Sequence, residues 1–181
     1  MEPTSRRRLL AHIADLVKTH ETHGQSAIFS ATKILQETMD LLREHRPHYH
    51  WVGLYGLVGK TLYLGPFAGP PTDHVEIPVG RGVCGTAVQE GSNQRVDDVS
   101  QRDNYLACNL ETKSELVVLI WSADPGTPQR FILGQIDVDG STIRAFDEEE
   151  EAFIADVAVL LRQPMALWLQ EKNTQIQSKE S

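Results

Sequence analysis

Two long β-type runs in the second half of the chain constrain its fold more than any other feature. Residues 115–121 read E-L-V-V-L-I-W and residues 131–138 read F-I-L-G-Q-I-D-V, and both are rich in side chains that favour strands. The segment Asp124-Pro125-Gly126, which is typical of a turn, separates them. The pattern predicts two strands, whose apolar faces must be covered by helices from the rest of the chain.

Three shorter segments also have strand character. They are residues 49–57, residues 61–64, which follow a turn at Gly59-Lys60, and residues 75–79, in which Pro78 indicates an edge strand. Together with the two longer runs, they predict a mostly antiparallel sheet.

Helical periodicity marks both ends of the chain. Apolar residues recur at helical spacing in two early segments, Leu9, Ile13, Leu16 and Val17, and then Ile28, Ala31, Ile34, Leu35 and Leu42. Near the C-terminus, Asp147 and Glu150 fit an Asp variant of the capping box that begins a third long helix. Pro164 should kink that helix or end it early.

The length of 181 residues is sufficient for one domain with its own core. We predict an α+β fold in which residues 1–46 form N-terminal helices and residues 49–172 form the sheet and the final helix. Residues 1–172 then make a single domain, and residues 173–181 make a loose tail.

Composition excludes several classes of partner. The net charge of −8 argues against nucleic acid, because binding to the phosphate backbone needs a basic face. No apolar run approaches the ~20 residues of a membrane span, and charged residues interrupt the N-terminal apolar stretch that would otherwise suggest a signal peptide. Two cysteines do not form a disulfide scaffold in a chain of this size. We therefore expect a cytoplasmic protein without nucleic-acid or membrane partners.

The D-V-D segment at the end of the last predicted strand places two acids close together. Asp137 and Asp139 are two residues apart and share one face of the strand, whereas Ile136 and Val138 take the other. Two carboxylates this close repel each other, and one can be held protonated near neutral pH. The alternative is an ordinary solvated strand end.

Both cysteines lie in settings that fit either a reactive or a packed thiol. Cys84 lies in G-R-G-V-C-G, where glycines allow a sharp bend before a short helix, whose first N–H groups favour a thiolate. Cys108 follows an apolar stretch and precedes Glu115 by seven residues. A cysteine can equally be buried as a small hydrophobe. Trp51 and Tyr55, four residues apart on one strand face, fit a ligand wall or a plain core.

Several motifs together resemble the GAF-domain free methionine-(R)-sulfoxide reductases over roughly two thirds of the chain. The motifs are W-V-G-L-Y (51–55), L-G-P-F (64–67), G-R-G-V-C-G-T-A (80–87), L-A-C (106–108), K-S-E-L-V-V (113–118) and D-V-D (137–139). The two cysteine motifs are specific at their mutual spacing, because a GAF fold shared with sensor domains does not require them. The resemblance implies a GAF-like fold and thiol-dependent reduction of free L-methionine-(R)-S-oxide.

The resemblance also implies roles for individual residues. Cys108 would be the nucleophile that becomes a sulfenic acid, and Cys84 would pair with it in a disulfide. Glu115, Asp137 and Asp139 would surround the bound amino acid, with Glu115 and Asp139 among the catalytic groups and Asp137 among the substrate-binding ones.

The remaining contacts to substrate follow from the same resemblance. Trp51 and Tyr55 would enclose the S-methyl group, and the backbone around Leu106 and Ala107 would bind the substrate carboxylate. No cofactor is expected to be bound, and an external dithiol such as thioredoxin would reduce the disulfide. The long N-terminal helices suggest a homodimer contact.

One departure from the family keeps two alternatives open. His74 stands where many relatives have a third cysteine, ten residues before Cys84. Its absence favours a GAF-type module that binds a small molecule or senses thiol oxidation without turnover. A metal site formed by His74, Cys84 and Cys108 is the other reading, although the close ligand pairs of zinc sites are missing.

Overall fold

The helices and strands largely follow the predicted order. The computed structural model describes residues 3–21, 27–101 and 111–180. The strands are β1 (Tyr49–Val58), β2 (Thr61–Ala68), β3 (Glu76–Pro78), β4 (Gln94–Val96), β5 (Ser114–Trp121) and β6 (Ile132–Gly140). The helices are α1 (Pro3–Glu21), α2 (Ala27–His45), α3 (Gly82–Glu90), α4 (Glu148–Leu160) and α5 (Arg162–Glu180), with a 3-10 turn at Val99–Gln101.

The strands form one antiparallel sheet, and the predicted α+β class is confirmed. The order across the sheet is β3-β2-β1-β6-β5-β4, so the two long strands β1 and β6 lie at its centre. β3 is an edge strand and ends at Pro78, as the proline indicated.

Two strands differ from the sequence-based expectation. β2 continues to Ala68 through an irregularity at Gly65 and Pro66, because Leu64 on one side and Phe67 and Ala68 on the other pair with β1. β4 was not predicted at all. It has three residues and pairs with β5, so it lacks the length from which an alternating pattern could be recognised.

Apolar residues on the two faces of the sheet form two separate clusters. On one face, α1, α2, α4 and α5 cover side chains such as Leu54, Val118 and Ile136. On the other face, α3 covers a second cluster that includes Tyr55 and Val117. The larger cluster stabilises the fold, and the smaller one contains the residues with chemical potential.

The C-terminal helix is divided where Pro164 suggested a kink. α4 ends at Leu160 and α5 starts at Arg162, with a 63° bend between them. Residues 173–180, predicted as a loose tail, continue α5, in which Thr174 bonds to the backbone of the preceding turn. Within the described ranges, no single helix is long and apolar enough to cross a membrane, and only the bent α4–α5 pair satisfies those criteria together.

A buried ionic cluster fastens the start of β1 to the first turn of α4. The Asp147 carboxylate accepts from the Glu150 N–H at 2.7 Å, as the capping box predicted, while the Glu150 carboxylate bonds to Arg46 and Tyr49. Burial alone would raise the pKa of Glu150, but hydrogen bonds from His48, Tyr49 and Arg46 outweigh it and lower the pKa to about 2. This cluster fixes the strand that carries Trp51.

Candidate active site

The register of the three central strands places the acidic residues on one face of the sheet, in two neighbouring rows. Asp139 of β6 lies directly opposite Trp51 of β1 and Glu115 of β5. Asp137 lies opposite Gly53 and Val117 in the next row of the same face. Because directly opposed residues of antiparallel strands point to the same side, the two aspartates, Glu115 and Trp51 all face α3.

All three carboxyl groups are buried. Asp137 is 0% exposed, Asp139 is 1% exposed and Glu115 is 3% exposed. The interpretation of D-V-D as a solvated strand end is therefore wrong. The alternation of a strand could not show this, because burial depends on tertiary contacts such as that of Cys84 in α3 with Glu115 and Asp137.

Glycines shape the aromatic wall beside these acids. A Cβ on Gly53 would lie 2.2 Å from the Trp51 ring, and one on Gly69 would lie 2.5 Å from it, so only glycine leaves room for the indole. The indole stacks on Phe67 at 5.6 Å and lies 6.3 Å from the ring of Tyr55. Its buried Nε1 has no hydrogen-bond partner among the described residues, so the wall presents both an apolar face and an available donor.

Helix α3 brings Cys84 against the acids. Gly82, with φ +65°, starts the helix, and a Cβ on Gly85 would lie 2.5 Å from the Pro78 carbonyl, so this turn packs tightly onto the sheet. Cys84 is the third residue of α3 and is buried. Its thiol lies 3.8 Å from Glu115 Oε1, in donor geometry. The predicted position of a thiol in the first turn of a helix is confirmed.

The three donor atoms of Cys84, Glu115 and Asp137 form a compact group. The sulfur and one oxygen from each carboxyl lie within 4.8 Å of one another. A single cation, either a metal ion or an organic ammonium group, could contact all three. His74 is not part of this group: its carbonyl accepts a hydrogen bond from the Tyr55 hydroxyl at 2.9 Å.

Burial and mutual repulsion raise the pKa values of the aspartate pair. Burial raises the pKa of Asp137 to about 7, although the nearby Cys84 thiol and the Val138 N–H lower it in part. Burial, followed by the negative charge on Asp137, raises the pKa of Asp139 well above its ordinary value, with Thr112 opposing the shift. The pair therefore holds at least one proton near neutral pH.

The structure brings together six of the predicted site residues and leaves three untested. Trp51, Tyr55, Cys84, Glu115, Asp137 and Asp139 lie on one face of the sheet or against it. Cys108, Leu106 and Ala107 lie outside the described residues. Val99 and Lys113 lie on opposite sides of that segment, and the Val99 N–H donates to the Lys113 carbonyl at 3.0 Å. The described chain therefore stops and resumes close to the start of β5.

Two residues of this face were missed by the sequence reasoning. Phe67, which stacks on Trp51, was visible only as part of the L-G-P-F motif. Gln135 lies on the same face of β6 as Asp137 and Asp139, two residues before Asp137, and is fully buried. The alternation that placed the two aspartates on one face would have found Gln135 if it had been extended by two residues.

An Asp137→Asn variant is expected to be more stable than the wild type at pH 8. The folded protein keeps a proton on Asp137 up to about pH 7, whereas the unfolded chain releases it near the ordinary pKa of 3.8. The stability contributed by that proton is present below pH 3.8, is lost as the pH rises, and the loss levels off above about 7. The gain at pH 8 is a few kcal/mol, since one pKa unit corresponds to about 1.4 kcal/mol.

Urea unfolding at pH 8 and at pH 4 measures this effect. The difference in the free energy of unfolding between Asp137→Asn and the wild type should shrink towards zero at pH 4. Asp156→Asn, an exposed position on α4, serves as the control and should leave both values unchanged. If Asp137→Asn is less stable than the wild type at both pH values, the ionised Asp137 carboxylate does not destabilise the folded protein, and the prediction is wrong.

Comparisons with known proteins concern the sequence and the fold as a whole. A family model described as the GAF domain matches residues 30–163. The chain is 37% identical over 132 residues to the free methionine-R-sulfoxide reductase of Escherichia coli, covering 73% of this chain and 76% of the relative. The structure of free methionine-R-sulfoxide reductase from Neisseria meningitidis in complex with its substrate has a TM-score of 0.76 at 27% identity, covering 94% of this chain and 95% of that one. The structure of the type II free methionine-R-sulfoxide reductase from Thermoplasma acidophilum has a TM-score of 0.72 at 34% identity. The match covers 79% of this chain and 97% of that one.

Proposed function

The chain belongs to the GAF-domain free methionine-R-sulfoxide reductase family, and from this premise we propose that it reduces free L-methionine-(R)-S-oxide to methionine. The observation that carries the proposal is the buried face on which Cys84 lies against Glu115 and beside the Asp137–Asp139 pair. The name of the Escherichia coli relative and the substrate complex of the Neisseria meningitidis protein support the same activity.

The described residues suit a small zwitterion that carries a sulfoxide. An ionised carboxylate at Asp137 or Glu115 pairs with the substrate ammonium group. Trp51 and Tyr55 enclose the S-methyl group, and the stacking of Trp51 on Phe67 keeps the indole in place. The backbone of Leu106 and Ala107, outside the described residues, binds the substrate carboxylate in this proposal.

The first chemical step transfers oxygen from substrate to enzyme. The Cys108 thiolate attacks the sulfoxide sulfur while Asp139 protonates the sulfoxide oxygen, which gives a hydroxylated intermediate with an S–S bond. The hydroxyl group then moves to the Cys108 sulfur as the S–O and S–S bonds to the substrate sulfur break, and the electron pair of the S–S bond stays with methionine. The products are methionine and a sulfenic acid on Cys108, so the substrate sulfur is reduced and the cysteine is oxidised. The role of Cys108 rests on the L-A-C motif.

The second step resolves the sulfenic acid. The Cys84 sulfur attacks the Cys108 sulfur, the hydroxyl group leaves as water, and a disulfide forms. An external dithiol, such as thioredoxin, then reduces the disulfide and is itself oxidised. Because His74 occupies the place of a third family cysteine, Cys84 is the only internal candidate for the resolving thiol, and an external thiol is the alternative. The cytoplasmic location and the homodimer remain predictions.

Turnover of the free amino acid tests the proposal directly. The purified chain is supplied with dithiothreitol and L-methionine-(R)-S-oxide, and methionine is measured by chromatography. The S epimer and the N-acetylated sulfoxide, which lacks the ammonium group, serve as controls and should react far more slowly. A binding or redox-sensing module would bind the sulfoxide or become oxidised without forming methionine, and that outcome would reject the reductase assignment.

A further inference from the structure

Gln135 is a buried polar side chain, and neither core packing nor the proposed chemistry explains why it is there. It lies on β6 opposite Tyr55 of β1 and Leu119 of β5, and it is 0% exposed. Both amide atoms, Nε2 and Oε1, lack a hydrogen-bond partner among the described residues.

An unpaired amide at this depth has a free-energy cost. Burying such a donor or acceptor without a partner forfeits its hydrogen bonds to water and leaves nothing in their place. The neighbouring positions show that aliphatic side chains suit this layer, since Leu119 and Val117 pack there. Buried polar side chains in native proteins are nearly always paired, so Gln135 requires a partner such as a buried water or a group of the site.

Asp137 is the polar group nearest to Gln135 along the strand. Residues i and i+2 share a strand face and lie about 6–7 Å apart. No direct hydrogen bond joins the Gln135 amide to the Asp137 carboxyl, but one buried water molecule can bridge an amide and a carboxyl at that separation. Asp139 lies two residues further along the strand, so the amide stands beside only one member of the acid pair.

The two carboxyl groups therefore have different neighbours. Asp137 faces Asp139 on its own strand, the Glu115 carboxyl from β5, the Cys84 thiol from α3 and, one row away, the Tyr55 hydroxyl from β1. These neighbours are acidic, and the amide of Gln135 is a neutral donor placed among them. Its N–H groups favour a carboxylate, which an aliphatic side chain cannot do.

We propose that Gln135 is a positioning residue that, through one buried water, makes Asp137 the first member of the pair to ionise and leaves the remaining proton on Asp139. The inference rests on the proposed function for its consequence: Asp137 pairs with the substrate ammonium group and Asp139 acts as the acid. Gln135 thus breaks the near symmetry of D-V-D without touching the reacting atoms.

Gln135→Leu removes the amide and keeps a similar volume. In aspartate-labelled protein, carbon-13 NMR of the side-chain carboxyl groups should show a higher pKa for Asp137 than in the wild type, with Asp137→Asn assigning the signal. For the reduction, KM at pH 7 should rise by about fivefold for a pKa increase of one unit, because the ionised fraction of Asp137 falls from about one half to about one in eleven, and kcat should change less. The rise in KM should disappear at alkaline pH, where Asp137 ionises again.

Leu119→Met is the matched control, because residue 119 lies directly opposite Gln135 and the change alters packing without altering polarity. It should leave the Asp137 titration unchanged. In the wild type, the side-chain amide resonances of Gln135 should shift with the Asp137 midpoint, a measurement that needs no variant. Amide resonances that do not respond, or an unchanged Asp137 titration in Gln135→Leu, overturn the inference. Absence of methionine formation by the wild type would instead reject the proposed function, because the titrations are independent of turnover.

Discussion

A Cys84→Ser variant is expected to form methionine once per chain and then stop when thioredoxin is the reductant. Serine preserves the size of the side chain in the first turn of α3 but cannot form the disulfide that thioredoxin reduces. The first turnover needs only the Cys108 thiolate and the acids, so its rate should stay within about threefold of the wild-type rate, because the hydroxyl keeps the donor to Glu115. Rapid-quench measurement of methionine, with limiting sulfoxide, separates the two phases.

Cys108→Ser is the matched variant for this experiment. It should form no methionine in either phase, because it lacks the attacking sulfur. Mass spectrometry of the wild type after one turnover without reductant should show a single chain that has lost two hydrogens, with Cys84 linked to Cys108. An equal loss of the first turnover in Cys84→Ser would contradict a purely resolving role.

Local sequence patterns were sufficient to predict the row of acids. The two-residue period of a strand places Asp137 and Asp139 on one face from the sequence alone. The same period placed Trp51 and Tyr55 together, and the structure confirms both pairs. These predictions succeed because strand alternation is a property of the backbone itself.

The meeting of the thiol with the acids could not be predicted from spacing alone. Cys84 and Glu115 are separated by 31 residues, and their contact depends on β5 pairing with β6 in one register. A shift of that register by one residue would turn Glu115 to the opposite face of the sheet. Only the motif resemblance, which carries the tertiary arrangement implicitly, connected the two residues in advance.

The residue types at the end of β6 led to a wrong prediction of the burial of Asp137 and Asp139. Acids at a strand end before Gly140-Ser141 are typical of a solvated turn, yet Asp137 and Asp139 are buried, and Cys84 of α3 lies against Asp137. The cost of this burial appears as the raised pKa values of Asp137 and Asp139. The protein retains a locally unfavourable arrangement at the place where the proposed reaction needs a protonated acid.

Replacing Asp139 with asparagine tests that link between burial and chemistry, and we expect kcat to fall by about 10²- to 10⁴-fold. Asparagine can donate a hydrogen bond to the sulfoxide oxygen but cannot release a proton to it. In the wild type, the single-turnover rate should decline at alkaline pH as Asp139 loses its proton at its raised pKa, whereas the residual rate of Asp139→Asn should show no such decline. Asp156→Asn, exposed on α4, should match the wild type at every pH. A wild-type rate in Asp139→Asn would leave this buried acid with a structural role only, and the proton would have to come from another group.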